Sequence, residues 1–223
     1  MTQVYIHPLP VRIWHWINAL GFVVLILTGL HIRYADILHV TSFATAVSVH
    51  NWVGFALIAN YFVWLSFYLF TDKITVYHPE LDPAKYFRDS LRQAMYYGYG
   101  IFRGSPNPHH ASAYRKFNAL QSTMYQVIMI VLVPVQFYTG LLLWDPVAFG
   151  GSVGLFGGVR VVATVHVMLF IFFSAFIFGH VYLASLGHTP GAHFKAMLTG
   201  YEEVEEATPA NPPRPASGFR ASS

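Results

Sequence analysis

VVATVHVMLFIFFSAFIFGHVYLASL, residues 161–186, runs its whole length without a Lys, Arg, Asp or Glu. At about 1.5 Å of rise per residue, such a helix outreaches the roughly 30 Å of hydrocarbon in a bilayer. It is apolar on every side, which marks a membrane-crossing helix and not a surface helix with one apolar stripe. His166 and His180 interrupt it. They are 14 residues apart, close to four helical turns. The two rings therefore share a face and stand about 21 Å apart along the axis. A titratable group at that depth marks a functional site by default, because hydrocarbon offers it no hydrogen bond.

Three further stretches, Ile13–Ile32, Phe43–Phe70 and Phe117–Leu143, are equally free of charge. Aromatic residues crowd the span ends (Trp14, Trp16, Trp52, Tyr68, Tyr138, Trp144 and Tyr182), as interfacial belts require. The expected fold is an all-α membrane protein, a four-transmembrane-helix bundle with a long cytoplasmic connection between helices two and three. Composition agrees: 55% of the 223 residues are hydrophobic and only 10% charged, against roughly 25% charged in a soluble domain. The first span lies too close to a Trp-His-Trp run, and lacks a small-residue cleavage site, so it does not read as a removable signal peptide.

Orientation is read from Lys and Arg. The connection Thr71–Lys116 holds Lys73, Lys85, Arg88, Arg92, Arg103, Arg115 and Lys116, whereas the other two connections have only Arg33 and Arg160 at their edges. The positive-inside rule then puts this connection and both termini in the cytoplasm of a bacterial cell, with the spans in its inner membrane. The sequence pI of about 9.1 follows from these loops and not from a nucleic-acid footprint. Within the connection, Asp82-Pro83 followed by Ala84–Tyr97 predicts a capped, basic amphipathic helix, and residues 98–108 a Gly/Pro loop. Thr189-Pro190-Gly191 breaks the chain after the last span, with one more surface turn over Phe194–Thr199. Residues 1–200 are expected to form the membrane domain. Residues 201–223, acidic and then rich in Pro, Ala and Ser, are expected to be a disordered tail.

Of the twelve histidines, His7, His39, His78, His109, His110, His188 and His193 fall outside the spans and read as surface residues. The remaining five include two depth-matched pairs. His15, at the inner end of the first span, matches His180; His50, in the outer part of the second, matches His166. His31 is a rival ligand on the first span, but lies in its last turn and reads as interfacial. Two pairs at two depths are what two bis-histidine b haems require, and four-helix bundles build cofactor sites from facing side chains in this way. Gly21, Gly54, Gly140 and Gly179 could admit porphyrin planes between helices; plain helix packing is the competing reading. Arg12, one turn before His15, suits a haem propionate as well as a topology anchor. The absence of cysteine removes disulfides, iron–sulfur ligation and thioether haem attachment.

Arg12-Ile13-Trp14-His15-Trp16, Val49-His50-Asn51, and His166 followed by Gly179-His180-Val181-Tyr182 resemble the di-haem cytochrome b subunits of membrane-bound respiratory oxidoreductases. That family includes the gamma subunit of formate dehydrogenase, the nickel–iron hydrogenase cytochrome b and thiosulfate-reductase-like cytochromes b. The resemblance covers roughly residues 7–200, and Phe194–Gly200 is nearest to the thiosulfate-reductase-like members. It implies electron transfer between a quinone, menaquinone or ubiquinone, near the cytoplasmic face and an extracytoplasmic partner, an iron–sulfur protein or multihaem cytochrome. It also implies a quinone site at an Asn-x-x-Gln opening the third span, matched by Asn118 and Gln121. On the residues alone, Asn118 reads equally as a helix cap. Two rival classes are a non-haem metal membrane enzyme and a haem-free transporter with histidine relays. The first needs carboxylates or closely spaced histidine boxes, and the spans contain no carboxylate.

Overall fold

The protein is described by a computed structural model over residues 2–71, 82–109, 117–185, 189 and 191–204. Four helices are long and apolar enough to cross a membrane, as expected. The first two are α1 (Leu9–Arg33) and α2 (Phe43–Leu69), followed by the shorter α3 (Pro83–Gly98). The third span, Ala119–Trp144, consists of α4 (Ala119–Gln126), a π-helical segment (Val127–Leu132) and α5 (Val133–Trp144). A short α6 (Gly150–Leu155) leads to the fourth span, α7 (Val159–Ser185), and α8 (Ala192–Thr199) follows. α1 begins four residues before the expected Ile13, since Pro10 suits a first helical turn. That places Arg12 inside the helix. The faces turned away from the bundle are apolar, with Leu20 67% and Phe178 78% exposed, which suits lipid as the solvent.

α1 packs along α2, and α5 along α7. Gly21 permits the first contact: a Cβ there would lie 2.7 Å from Leu57 Cδ2, and Leu57 is itself buried. The shared core, Tyr61, Trp64, Tyr68, Ile128, Met129, Val133 and Phe173, joins α2, the third span and α7.

The third span is not the plain α-helix expected of it. Pro134 has no N–H and its ring would clash with the preceding turn. The π segment shifts the ladder by one residue, so that Val133 N–H donates to Ile128 O. In that register the partner of Met129 O would be the missing N–H of Pro134. Tyr61 Oη donates to Met129 O instead, at 3.0 Å. An unsatisfied carbonyl is costly in hydrocarbon, so this one hydroxyl lets the third span carry its proline.

The first and last described residues lie at one end of the bundle, the near end. There β1 (Thr2–Tyr5) pairs antiparallel with β2 (Tyr201–Val204) in a two-stranded sheet. β2 takes in the first four residues beyond the expected boundary at residue 200, and 205–223 lie outside the described residues. Gly200 is required at the join, since its φ is +93° and a Cβ would meet Tyr5 at 2.6 Å and His7 O at 2.9 Å. α8 is held under α1 by its last carbonyls, with Trp16 Nε1 donating to Met197 O at 3.1 Å and Arg12 Nη1 to Leu198 O. The expected surface helix is α3, capped by Asp82 accepting from Ala84 and Lys85 N–H. After it, Gly104 takes a left-handed turn that closes a 3-10 segment over Gly100–Arg103. Lys73, His78, His110, Arg115, Lys116, His188 and Pro190 fall outside the described residues.

Tyr61→Phe is expected to cost about 1 kcal/mol, read as a lowered thermal midpoint in detergent. Pro134→Ala restores an N–H able to reach Met129 O, so the cost should shrink in that background. An equal cost in both backgrounds would contradict the account.

A second expectation concerns the near-end clasp. His193 Nδ1 lies 3.3 Å from Glu202 Oε1, and the hydrogen bond to that carboxylate raises the His193 pKa above 6.5 despite partial burial. A raised pKa means the stabilisation is complete below 6.5 and fades as pH climbs through the raised value. The pair is half exposed, so the effect is small. Amide-exchange protection in α8 and β2 should fall over that window, and Glu202→Gln should flatten the dependence.

Candidate cofactor site

Near the near end, His15 of α1 and His180 of α7 face each other with ring centroids 6.1 Å apart and planes at 49°. Near the far end, His50 of α2 and His166 of α7 stand 6.4 Å apart with planes at 66°. The four sequence-predicted ligands thus meet as the two expected pairs. Imidazole nitrogen binds a first-row metal at about 2 Å, and the ring centroid lies about 1.1 Å beyond, so two rings trans on one metal have centroids about 6.3 Å apart. Both observed separations fit that spacing.

The far-end pair shows which nitrogen is free for a metal. Thr28 Oγ1 lies 2.9 Å from His50 Nδ1, and its own hydroxyl donates back along α1 to Val24 O at 2.7 Å. Thr139 Oγ1 lies 3.0 Å from His166 Nδ1 and donates to Val135 O at 2.9 Å. With the hydroxyl protons engaged, each threonine oxygen accepts from Nδ1–H, and each Nε2 keeps its lone pair. In this structure the Gln136 amide nitrogen lies 3.3 Å from His166 Nε2 and donates to that lone pair, a contact that a metal on Nε2 would have to displace.

Space around the rings is set by glycines. A Cβ at Gly140 would lie 3.3 Å from His166 Cε1, and one at Gly29 3.5 Å from His50 Cε1. Gly54, one turn from His50, and Gly179, beside His180, have open space where a Cβ would stand. Phe176 stacks on the His180 ring at 5.7 Å, and Trp16 sets its edge to His15 at 5.4 Å. Midway between the two α7 ligands, Phe173 is buried against Phe22 at 5.4 Å.

Donor chemistry and space suit haem. Among the described residues no three of His, Cys, Asp and Glu come together. A non-haem site relying on three or more protein ligands therefore has no candidate there. Two imidazoles per site leave the other four positions of an octahedral iron to a macrocycle.

The other candidates lie elsewhere. Arg12, besides its bond to Leu198 O, has a buried Nε with no hydrogen-bond partner. Asn118 and Gln121 form a reciprocal capping box at the start of α4: Asn118 Oδ1 accepts from Gln121 N–H at 2.8 Å, and Gln121 Oε1 from Asn118 N–H at 3.1 Å. Asn118 is buried and its amide nitrogen donates to Tyr97 Oη of α3 at 3.1 Å, while Gln121 is exposed. His31, expected at the interface, is buried, 6% exposed, in the last turn of α1. Sequence reading missed Thr28, Thr139 and Gln136, whose only signal was polarity inside a span.

A four-span bundle that pairs histidines from facing helices at two depths defines a membrane cytochrome of the b class. The chain belongs to the prokaryotic cytochrome b561 family, whose profile matches residues 6–200. Haem b and an electron-transfer role in the membrane go with that membership. It is 36% identical over 201 residues to the putative cytochrome YdhU of Escherichia coli K12, covering 89% of this chain and 74% of that one. A 28-residue stretch, 13% of this chain and 11% of the other, is 54% identical to the probable Ni/Fe-hydrogenase B-type cytochrome subunit of Rhodobacter capsulatus. The putative protein-methionine-sulfoxide reductase subunit YedZ1 of Azospira oryzae is 27% identical over 196 residues, 81% of this chain and 90% of that one.

Proposed function

We propose that the protein is a membrane-anchoring cytochrome b subunit that carries electrons through two bis-histidine b haems between a quinone and a partner on the opposite side of the membrane. The observation that carries this reading is the pair of ring separations, 6.1 and 6.4 Å, each matching two imidazoles on one iron. When bound, the haems supply one-electron carriage across the hydrocarbon. The chain's own part is to hold them with His15 and His180 near one end and His50 and His166 near the other. Phe173 and its aromatic neighbours fill the space between and keep it free of water. Arg12 Nε is a donor available to a propionate of the near-end haem.

The near end is proposed to face the cytoplasm of a bacterial cell, on the Lys and Arg excess of the second connection. The quinone site is proposed at the near ends of α1, α4 and α7, with Asn118 and Gln121 beside the quinone. Their oxygens serve the helix cap, so their amide nitrogens are the groups able to donate to a quinone carbonyl as charge develops on it. Relatives named as a hydrogenase subunit and a reductase subunit favour a catalytic partner subunit, proposed to sit outside the cytoplasm.

A pyridine haemochrome assay on the purified protein is expected to give two haems b per chain; one or none would overturn the reading. His50→Ala or His166→Ala should remove the far-end haem alone, and His15→Ala or His180→Ala the near-end haem alone. Loss of a haem signal in His31→Ala with His15→Ala intact would move the α1 ligand.

Asn118→Ala is expected to slow electron exchange with quinone roughly fivefold, the kinetic equivalent of one lost hydrogen bond of about 1 kcal/mol, with both haem spectra retained. Unchanged quinone kinetics in Asn118→Ala, Gln121→Ala and the double variant would place the site elsewhere.

A further inference from the structure

The far-end histidines share an arrangement that their role as ligands does not by itself demand. Each has, at its Nδ1, a threonine from a neighbouring helix: Thr28 of α1 for His50 of α2, and Thr139 of α5 for His166 of α7. The two threonines are built alike. Thr28 Oγ1 reaches the carbonyls three and four residues back, Leu25 O at 3.3 Å and Val24 O at 2.7 Å. Thr139 Oγ1 does the same with Gln136 O at 3.0 Å and Val135 O at 2.9 Å. In both cases the hydroxyl proton is directed to the helix backbone and the oxygen to the ring. A glycine follows each threonine: a Cβ at Gly140 would crowd His166 Cε1 at 3.3 Å, whereas one at Gly29 would meet His50 Cε1 at an ordinary 3.5 Å. Thr139 is buried, 7% exposed, so water does not compete for its oxygen.

We infer that Thr28 and Thr139 are the positioning residues of the far-end ligands, fixing Nδ1 as the protonated nitrogen and tuning the redox midpoint of the haem held there. The inference rests on the bis-histidine reading of the preceding section. Its physical basis is general. A ligating histidine that donates its second N–H to an acceptor is held in one tautomer and ring orientation, and becomes a more basic ligand. A more basic axial ligand favours the ferric state and so lowers the midpoint. A polarised hydroxyl oxygen, its proton already given to a carbonyl, is a better acceptor than a free one. Thr28 lies 13 residues from His15 on α1, and His166, the partner of Thr139, lies 14 residues from His180 on α7, so a haem held by His15 and His180 would serve as an internal control in the same molecule.

The test uses the full-length, haem-loaded protein and four single variants, Thr28→Val, Thr139→Val, Thr28→Ser and Thr139→Ser. Valine keeps the branched shape and removes the acceptor; serine restores it. The readouts are the two midpoints from a spectroelectrochemical titration and the ferric EPR g-max, which follows the angle between the axial ring planes. Each valine variant is expected to raise the far-end midpoint, increasing the reduced-to-oxidised ratio at a fixed poise about threefold to tenfold, no more than about 59 mV for one electron. Its g-max should shift, the near-end haem should keep its values, and the serine variants should track the unaltered protein. Loss of the far-end haem in a valine variant with retention in the matching serine variant supports the same role. A far-end midpoint and g-max unchanged or lowered in both valine variants overturns the inference, as does a serine variant behaving like its valine counterpart. Failure of the bis-histidine reading itself would be distinct, showing as fewer than two haems in the unaltered protein.

Discussion

A neutral imidazole carries one donor and one acceptor, and hydrocarbon satisfies neither. Placing four such rings inside charge-free spans therefore obliges the rest of the bundle to complete them. At the far end the donor of each ring is met in the same manner, by a threonine of a neighbouring helix. The threonines in turn lie on helices whose backbone carbonyls take their protons. At His166 the closeness is helped by Gly140, where a Cβ would crowd the imidazole edge. Helix spacing at these points is thus set by the demands of two ring nitrogens as much as by apolar packing.

The same constraint shapes the third span. A proline in a soluble helix can leave its orphaned carbonyl to water; inside a bilayer the carbonyl must be met by the protein. The one-residue shift over Val127–Leu132 transfers the vacancy to Met129 O, within reach of Tyr61. Trp14 O shows a related economy of partners, accepting from Asn18 Nδ2 at 2.8 Å and from Asn60 Nδ2 at 3.2 Å. Asn18, Thr28, Asn60, Tyr61 and Thr139 are all turned onto backbone groups of their own or a neighbouring helix, and an aromatic core packs beside them.

What could be read from the sequence follows from what is local. A run of twenty or more uncharged residues announces a span whatever its neighbours do, and 14 residues between His166 and His180 fix a shared face by helical geometry alone. Asp82-Pro83 announced α3 by the same kind of local rule. Thr28 could not be linked to His50, because their contact depends on the register of α1 against α2, which no pattern within either segment encodes. The burial of His31 had no local signal for the same reason: its place in the last turn is local, whereas its burial is set by the helices around it. Asn118 and Gln121 kept two readings, since a polar pair at i and i+3 on a helix start suits a capping box and a ligand equally, and the cap is indeed formed. The β1–β2 pairing joins positions about two hundred residues apart and has no local signal in the acidic stretch beyond Gly200.

The two ends of the bundle are built differently, and the ligands fall across the line that divides it. Short connections at the far end tie α1 to α2 and, through α6, α5 to α7, making two hairpins that each pack closely within themselves. Contact between the hairpins is lighter, α2 against α5 being its main helix-to-helix seam. At the near end the clasp is peripheral, formed by the β1–β2 sheet, by α8 under Arg12 and Trp16, and by Tyr97 of α3 on Asn118. Each histidine pair takes one ring from the first hairpin and one from α7 of the second. A group gripped by either pair therefore bridges the two hairpins. Binding free energy at such a site is also docking free energy between the hairpins. The threonine behind each far-end ring extends that bracing, Thr28 coupling α1 to α2 and Thr139 coupling α5 to α7, so that the ring is anchored in its own hairpin before it reaches across the seam.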